Sequence, residues 1–161
     1  MRYLLLILPF LLFLIYTVTK GEKSVFKENI IKNERSITKS EKEYLEELKI
    51  IDTPQYFEQY TIDVINNGSN ILNYPSGAMD GGYVSKEDAK KIAAYMATLQ
   101  GFKPSHPEWV KEGAMLFYGN CVGCHGVEGK GQKGAFPDLT RRPLLGIELR
   151  KKKIYEKLKK E

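Results

Sequence analysis

Apolar residues fall into two patterns along this chain. From Tyr3 to Val18 they run without a break as YLLLILPFLLFLIYTV, which contains no charge. With the flanking threonines this stretch approaches the roughly 20 residues a bilayer-spanning helix needs. A cleaved signal peptide would require a small-residue site after the apolar run. The run instead ends in Tyr16-Thr17-Val18-Thr19-Lys20, without an alanine pair. Residues 1–20 are therefore expected to be an uncleaved N-terminal transmembrane helix, with cleavage as the alternative, and either delivers residues 21–161 across the membrane. Residues 21–40 are polar and charged, with scattered apolar positions, and read as a tether.

Beyond the tether the apolar positions recur at three- and four-residue spacings, the period of a half-buried helix. Ser40 with Glu43 predicts a capping box before Tyr44, Leu45 and Leu48. Thr53-Pro54 predicts the start of a helix carrying Phe57, Tyr60, Val64 and Ile65, which Asn66-Asn67-Gly68 ends. Ser85 with Asp88 opens a third, whose Ala89, Ile92, Ala93, Met96 and Leu99 share a face. Ser105 with Glu108, and Pro107 in the first turn, opens a fourth through Trp109, Leu116 and Phe117. Sustained two-residue alternation is absent, so the expected class is all-α. Two glycine-rich segments, 68–84 and 126–140, interrupt the helices. Irregular loops of such length in a small helical domain are usually functional, and loops this compact need something to wrap around.

Charge is distributed unevenly. Residues 141–161 carry nine basic and three acidic side chains, whereas residues 21–140 carry fourteen and seventeen. The overall +5 therefore resides in a C-terminal tail, and a nucleic-acid-binding body is disfavoured. Residues 147–161 are expected to form a basic helix with Ile147, Ile154 and Leu158 on one side. Such helices lie on anionic lipid, dock on an acidic partner, or are simply solvated.

The two cysteines are three residues apart in Cys121-Val122-Gly123-Cys124-His125. This C-x-x-C-H spacing is that of covalent c-type haem attachment. On a helix, positions i, i+3 and i+4 face one way, so both thiols can reach haem vinyl groups while the imidazole reaches the iron. The rivals are weaker. A redox dithiol belongs at a strand-to-helix turn, and no strands are expected. A structural zinc site lacks a fourth ligand, since His106 is the only other histidine. A disulfide across two residues is geometrically poor.

Around that motif, the stretch from Gly113 through Phe117 to Gly126 resembles the haem helix of class I cytochromes c, and Gly129-Lys130-Gly131 and Pro137-Asp138-Leu139 resemble the loop beyond that helix. The resemblance implies that Pro137 offers its carbonyl to the His125 imidazole N–H, and that Gly113 and Phe117 are helix-crossing positions. In that family a methionine ligand and a C-terminal helix come after the motif, but here no methionine follows His125. The corresponding parts stand upstream: Tyr60 through Gly68, then Met79, then Val84 through Leu99. The order is similar to the join between the two domains of the dihaem subunit of cbb3-type oxidases. Either the halves form one circularly permuted haem domain over residues 41–146, with Tyr95 near Gly113 and Phe117 and with Met79 capping the iron, or the chain is a degenerate relative of that subunit. The first is the expectation adopted.

Met79 is the single methionine of the glycine-rich segment 68–84, Met96 belongs to a helix face, Met115 lies on the haem helix, and His106 lies in a first helical turn. The candidate site is thus Cys121, Cys124, His125, Met79 and Pro137, holding one covalent haem c, with His125 and Met79 on the iron. Lys130 and Lys133 could steer an acidic redox partner. The expected protein is not an enzyme. It is a monohaem cytochrome c anchored in a bacterial cytoplasmic membrane, its haem domain in the periplasm, passing single electrons between respiratory complexes and periplasmic acceptors. The alternatives are a fixed subunit of an oxidase or nitrogen-oxide-reducing complex, and a haem sensor or peroxidase-like protein with an open sixth site.

Overall fold

A computed structural model describes residues 38–72, 74–132 and 134–160. The apolar run, the tether up to residue 37 and Lys133 lie outside the described residues. Among the described residues no helix is long and apolar enough to cross a membrane. Residues 40–161 make one compact unit, and its regular structure is helical: α1 (Lys39–Ile50), α2 (Pro54–Asn67), α3 (Lys86–Leu99), α4 (Val110–Asn120), α5 (Val122–His125) and α6 (Leu145–Leu158).

Local side-chain chemistry sets two of the helix starts. The Thr53 hydroxyl accepts the Tyr56 N–H at 3.3 Å, with Pro54 as first helical residue. Ser85 accepts the Asp88 N–H at 3.1 Å and donates its own hydroxyl to the Asp88 carboxylate at 2.8 Å. Both satisfy amides that a helix start leaves without a partner. Two expected starts differ. α1 begins at Lys39, so Ser40 is already inside its first turn rather than ahead of it. Ser105 does not cap α4: a 3-10 turn, Pro107–Trp109, intervenes, and the Ser105 backbone N–H is drawn to the Glu58 carboxylate at 2.7 Å. A tertiary acceptor on α2 has displaced the local cap.

α3 is the central beam. Ala89, Ala93 and Ala97 are fully buried with Ile92, and these small side chains let α2 and α4 approach α3 closely. At the α3–α4 crossing a Cβ on Gly113 would overlap the Lys91 carbonyl oxygen and sit 3.1 Å from the Tyr95 Cβ. Tyr95 and Phe117 rings then pack at 5.4 Å, and Phe117 is completely buried. Burial of a side chain of that size contributes about 1.5–3 kcal/mol.

The basic C-terminal segment packs into the body through its apolar seam. Ile147 and Ile154 are 2% and 1% exposed and belong to the same apolar cluster as Phe57, Ile92 and Phe117. Across from it, Arg150 grips the Glu47 carboxylate of α1 with two bonds of 2.8 and 2.6 Å, and Lys151 pairs with Asp52 at 2.5 Å. The charges of α6 thereby divide between fastening the helix and facing solvent.

Candidate functional site

The cysteines sit where α4 gives way to α5. Cys121 (φ −114°, ψ −24°) marks a slight break, yet the helical bonding continues through it: the Cys121 N–H reaches Phe117 O at 2.8 Å, and the His125 N–H reaches Cys121 O at 3.0 Å. Gly126, with φ of 76°, ends the turn. Cys121, Cys124 and His125 consequently line one cavity, as the i, i+3, i+4 spacing requires.

The loop after the motif is folded back against the imidazole. Gly131 N–H donates to His125 O at 2.8 Å, Leu139 N–H to Gly129 O at 2.7 Å, and the Gln132 side-chain amide to Gly123 O at 2.6 Å. Gly131, at φ 74°, lies so close to the Phe136–Pro137 peptide that a Cβ there would fall 3.0 Å from the Pro137 oxygen. This brings the Pro137 carbonyl to 3.2 Å from His125 Nδ1. A carbonyl can only accept, so Nδ1 carries the hydrogen and Nε2 keeps a free lone pair. Burial lowers the His125 pKa, against an opposing contribution from the Pro137 bond. The ring is held neutral, the form that ligates metal. Burial, reinforced by Cys124, pushes the Cys121 thiol up to about 11, and both thiols are free.

Met79 arrives from the other glycine-rich segment. It pairs with Ser69 in an isolated β-bridge, Ser69 N–H to Met79 O at 2.8 Å and Met79 N–H to Ser69 O at 2.9 Å, and lines the same cavity. That cavity encloses about 370 Å³ between α2, α3, α4 and the two loops, with Ile65, Ile92, Phe117 and Leu144 among its apolar walls. The elements before residue 100 and those after residue 110 thus close on one space.

Two observations test whether a haem suits it. First, two thiols and one neutral imidazole face a largely apolar chamber, whereas among the described residues no group of three or more His, Cys, Asp or Glu side chains is placed to hold a bare metal ion. Second, Thr61 lines the cavity, is 3% exposed, and its Oγ1 has no hydrogen-bond partner. A buried hydroxyl without a partner costs about 1–3 kcal/mol, which a polar substituent on an otherwise apolar occupant would offset. The residues present fit the group.

Other candidates are placed elsewhere. Met96 is buried in the core at the cavity wall, and Met115 is 63% exposed. His106 stacks on Trp109 at 3.9 Å and meets the Glu108 carboxylate at 2.9 Å, outside the cavity lining. Lys130 pairs with Glu128 at 2.7 Å on the surface. Thr61 and Phe136 line the cavity without having been singled out in the sequence. For Thr61 a signal existed: it is the one polar residue at helical spacing between Phe57 and Ile65 on a buried stripe.

Residues 110–161 match the family model described as Cytochrome c. The chain is 39% identical over 77 residues to the CcoP subunit of the cbb3-type cytochrome c oxidase of Helicobacter pylori strain ATCC 700392 / 26695, a match covering 46% of this chain and 27% of that protein. It is 40% identical over 53 residues to the cbb3-type oxidase subunit FixP of Azorhizobium caulinodans, covering 33% of this chain and 18% of the relative. The matched stretch is thus about a quarter or less of the length of these relatives. No solved structure matches the chain.

Proposed function

We infer that the chain carries a mostly helical, cytochrome c-like domain, from the match of residues 110–161 to the Cytochrome c family model and the similarity to subunits of cbb3-type oxidases. We propose that this domain holds one covalent haem c in circularly permuted order, with Cys121 and Cys124 as thioether anchors, His125 and Met79 as the iron ligands and Pro137 orienting the imidazole, and that it transfers single electrons. The observation that carries this reading is that Met79 and the C-x-x-C-H side chains line one apolar cavity although they lie on opposite sides of α3 in the sequence.

When bound, haem supplies a one-electron couple whose potential the protein tunes through axial ligation, hydrogen bonding and burial. The chain's own residues do the tuning. Pro137 holds the His125 ring by its Nδ1–H and strengthens the imidazole as a donor. The apolar walls exclude water, which favours the less charged, reduced state. A thioether from Met79 acts in the same direction. None of these groups needs to move a proton, which suits electron transfer rather than bond-making chemistry.

The apolar run 1–20 would anchor the domain in a bacterial cytoplasmic membrane, with the segment 21–40 as its link and residues 41–161 in the periplasm. Lipid, through that run, and redox proteins of the respiratory chain are then its partners. A fixed place in a respiratory complex is the second reading, favoured by the similarity to oxidase subunits. Co-purification with a large partner under mild detergent would select it over a free shuttle.

The test is the ferric absorption spectrum of the haem-loaded full chain beside its Met79→Ala variant, read at the weak near-red methionine-to-iron charge-transfer band. The band is expected in the parent and absent from the variant. A band that survives the substitution gives the ligand role to another methionine. A parent without the band has an open or histidine-ligated iron, which would replace the carrier with a sensor or peroxidase-like protein.

A further inference from the structure

The segment bearing Met79 leaves α2 at Gly68 and returns to the body at Gly81, and these two glycines touch backbone to backbone. A Cβ on Gly81 would stand 2.5 Å from the Asn66 carbonyl oxygen, 2.6 Å from the Asn67 carbonyl carbon and 2.6 Å from the Gly68 nitrogen. Reciprocally, a Cβ on Gly68 would overlap the Met79 carbonyl oxygen and lie 2.9 Å from the Gly81 nitrogen. All of these neighbours are main-chain atoms, so no side chain can turn aside to make room. Next to this contact sits the Ser69–Met79 bridge, and just beyond it the Gly82 N–H reaches Ile65 O at 2.9 Å. The far end of the segment is held separately. Tyr74-Pro75-Ser76-Gly77 makes a turn closed by Gly77 N–H to Tyr74 O at 2.9 Å, and the Ser76 hydroxyl donates to Ala135 O at 2.5 Å in the loop beyond the C-x-x-C-H motif.

We propose that Gly81, through its contact with Gly68, is a positioning residue for the sixth iron ligand: the close approach of the two backbones fixes where Met79 enters the cavity, and the Ser76 bond steadies the tip of the same loop. The proposal rests on the reading of Met79 as that ligand. Its physical basis is the shortness of the coupling. Gly81 is two residues from Met79, whose own N–H and carbonyl are both committed to Ser69. A displacement of the Gly81 backbone therefore has no slack to dissipate in before it reaches the ligand. A thioether–iron bond is short and directional, so it loses strength over the roughly half an ångström or more that a methyl placed 2.5–2.6 Å from main-chain atoms demands.

The experiment compares the haem-loaded full chain with Gly81→Ala, Gly82→Ala, Ser76→Ala and Met79→Ala. It reads the ferric charge-transfer band and the rate at which added imidazole replaces the sixth ligand, with far-UV circular dichroism for the fold. Gly82 is the control: its φ is +83° and an added Cβ meets nothing within 4 Å, so alanine there strains the backbone without a clash. Gly81→Ala is expected to lose most of the band and to admit imidazole about tenfold faster, with its helical dichroism kept. Gly82→Ala should keep the band, and Ser76→Ala should keep it while admitting imidazole about two- to threefold faster. A Gly81→Ala chain with parental band and rate overturns the positioning role while leaving Met79 ligation intact. A Met79→Ala chain that retains the band overturns both. Should Gly81→Ala fail to accumulate, the exposed Ser76 decides: an unchanged imidazole rate in Ser76→Ala refutes the suspension of the loop from its two ends.

Discussion

On one side of the cavity, Cys121, Cys124 and His125 keep their mutual places through two consecutive short helices, in which the His125 N–H bonds back to Cys121 O at 3.0 Å. On the other side, Met79 is held in a loop whose two ends meet at Gly68 and Gly81 and whose tip is tied to Ala135. The first wall is specified locally: given a helix, five consecutive residues determine which way three side chains point. The second is specified only when α2, α3 and the loop between them have closed. On the proposed reading, covalent attachment falls on the wall that is specified locally, and reversible ligation on the wall that depends on tertiary closure.

The largest separation of the two walls comes from removing the anchors. The double variant Cys121→Ala, Cys124→Ala is expected to lose all covalent haem, measured as colour extracted into acidified organic solvent. Met79→Ala, by contrast, should retain its full complement of attached haem. A chain that releases haem after the Met79 substitution, or retains it after loss of both thiols, would reverse the assignment of roles.

How much of the molecule is legible in its sequence divides along the same line. The C-x-x-C-H geometry and the helices capped by Thr53 and Ser85 are legible because each depends on residues within one turn of each other. The position of Met79 can be stated only through a resemblance, since nothing within its own loop says which cavity it enters. The start of α4 departs from expectation because a carboxylate from α2, Glu58, takes the Ser105 N–H around which a local cap would be organised. In the sequence Gly68 ends a helix and Gly81 is one of several glycines in the segment 68–84. That they are required to touch one another is a property of the closed fold alone.

A smaller effect falls on both walls together. Gly113 lies at the crossing of α3 and α4, where a Cβ would be 2.6 Å from the Lys91 carbonyl carbon. Gly113→Ala must therefore push α4, and with it the start of the proximal wall, away from α3. A loss of about 1–3 kcal/mol is expected, the usual cost of overfilling a packed site, read from the denaturant midpoint of the haem-loaded chain. Covalent attachment should survive, because the motif itself lies beyond the crossing. If stability fell while the methionine band stayed at full strength, the two walls would be mechanically independent; a parallel loss of the band would show that α3 couples them.

The smallest expected effect lies where α1 meets α6. The hydrogen bond from Arg150 holds the Glu47 carboxyl below its ordinary pKa of 4.5, outweighing the burial that raises it, with help from the Tyr56 hydroxyl at 2.7 Å. A carboxyl with a depressed folded-state pKa contributes stability that is present above its unfolded value and lost as pH falls through the folded one. The Glu47 side chain is 21% exposed and its Arg150 partner 45%, so screening limits the contribution to about 1 kcal/mol or less. Between pH 6 and pH 3 the denaturation midpoint of the parent should fall further than that of Glu47→Gln, which has no proton to take up at this site. The methionine band at neutral pH should be identical in the two chains, because neither Glu47 nor Arg150 lines the cavity. A band weakened by Glu47→Gln would mean that the clasp between α1 and α6 reaches the distal wall, and that the loop carrying Met79 is braced from a third point beyond its glycine root and its serine tip.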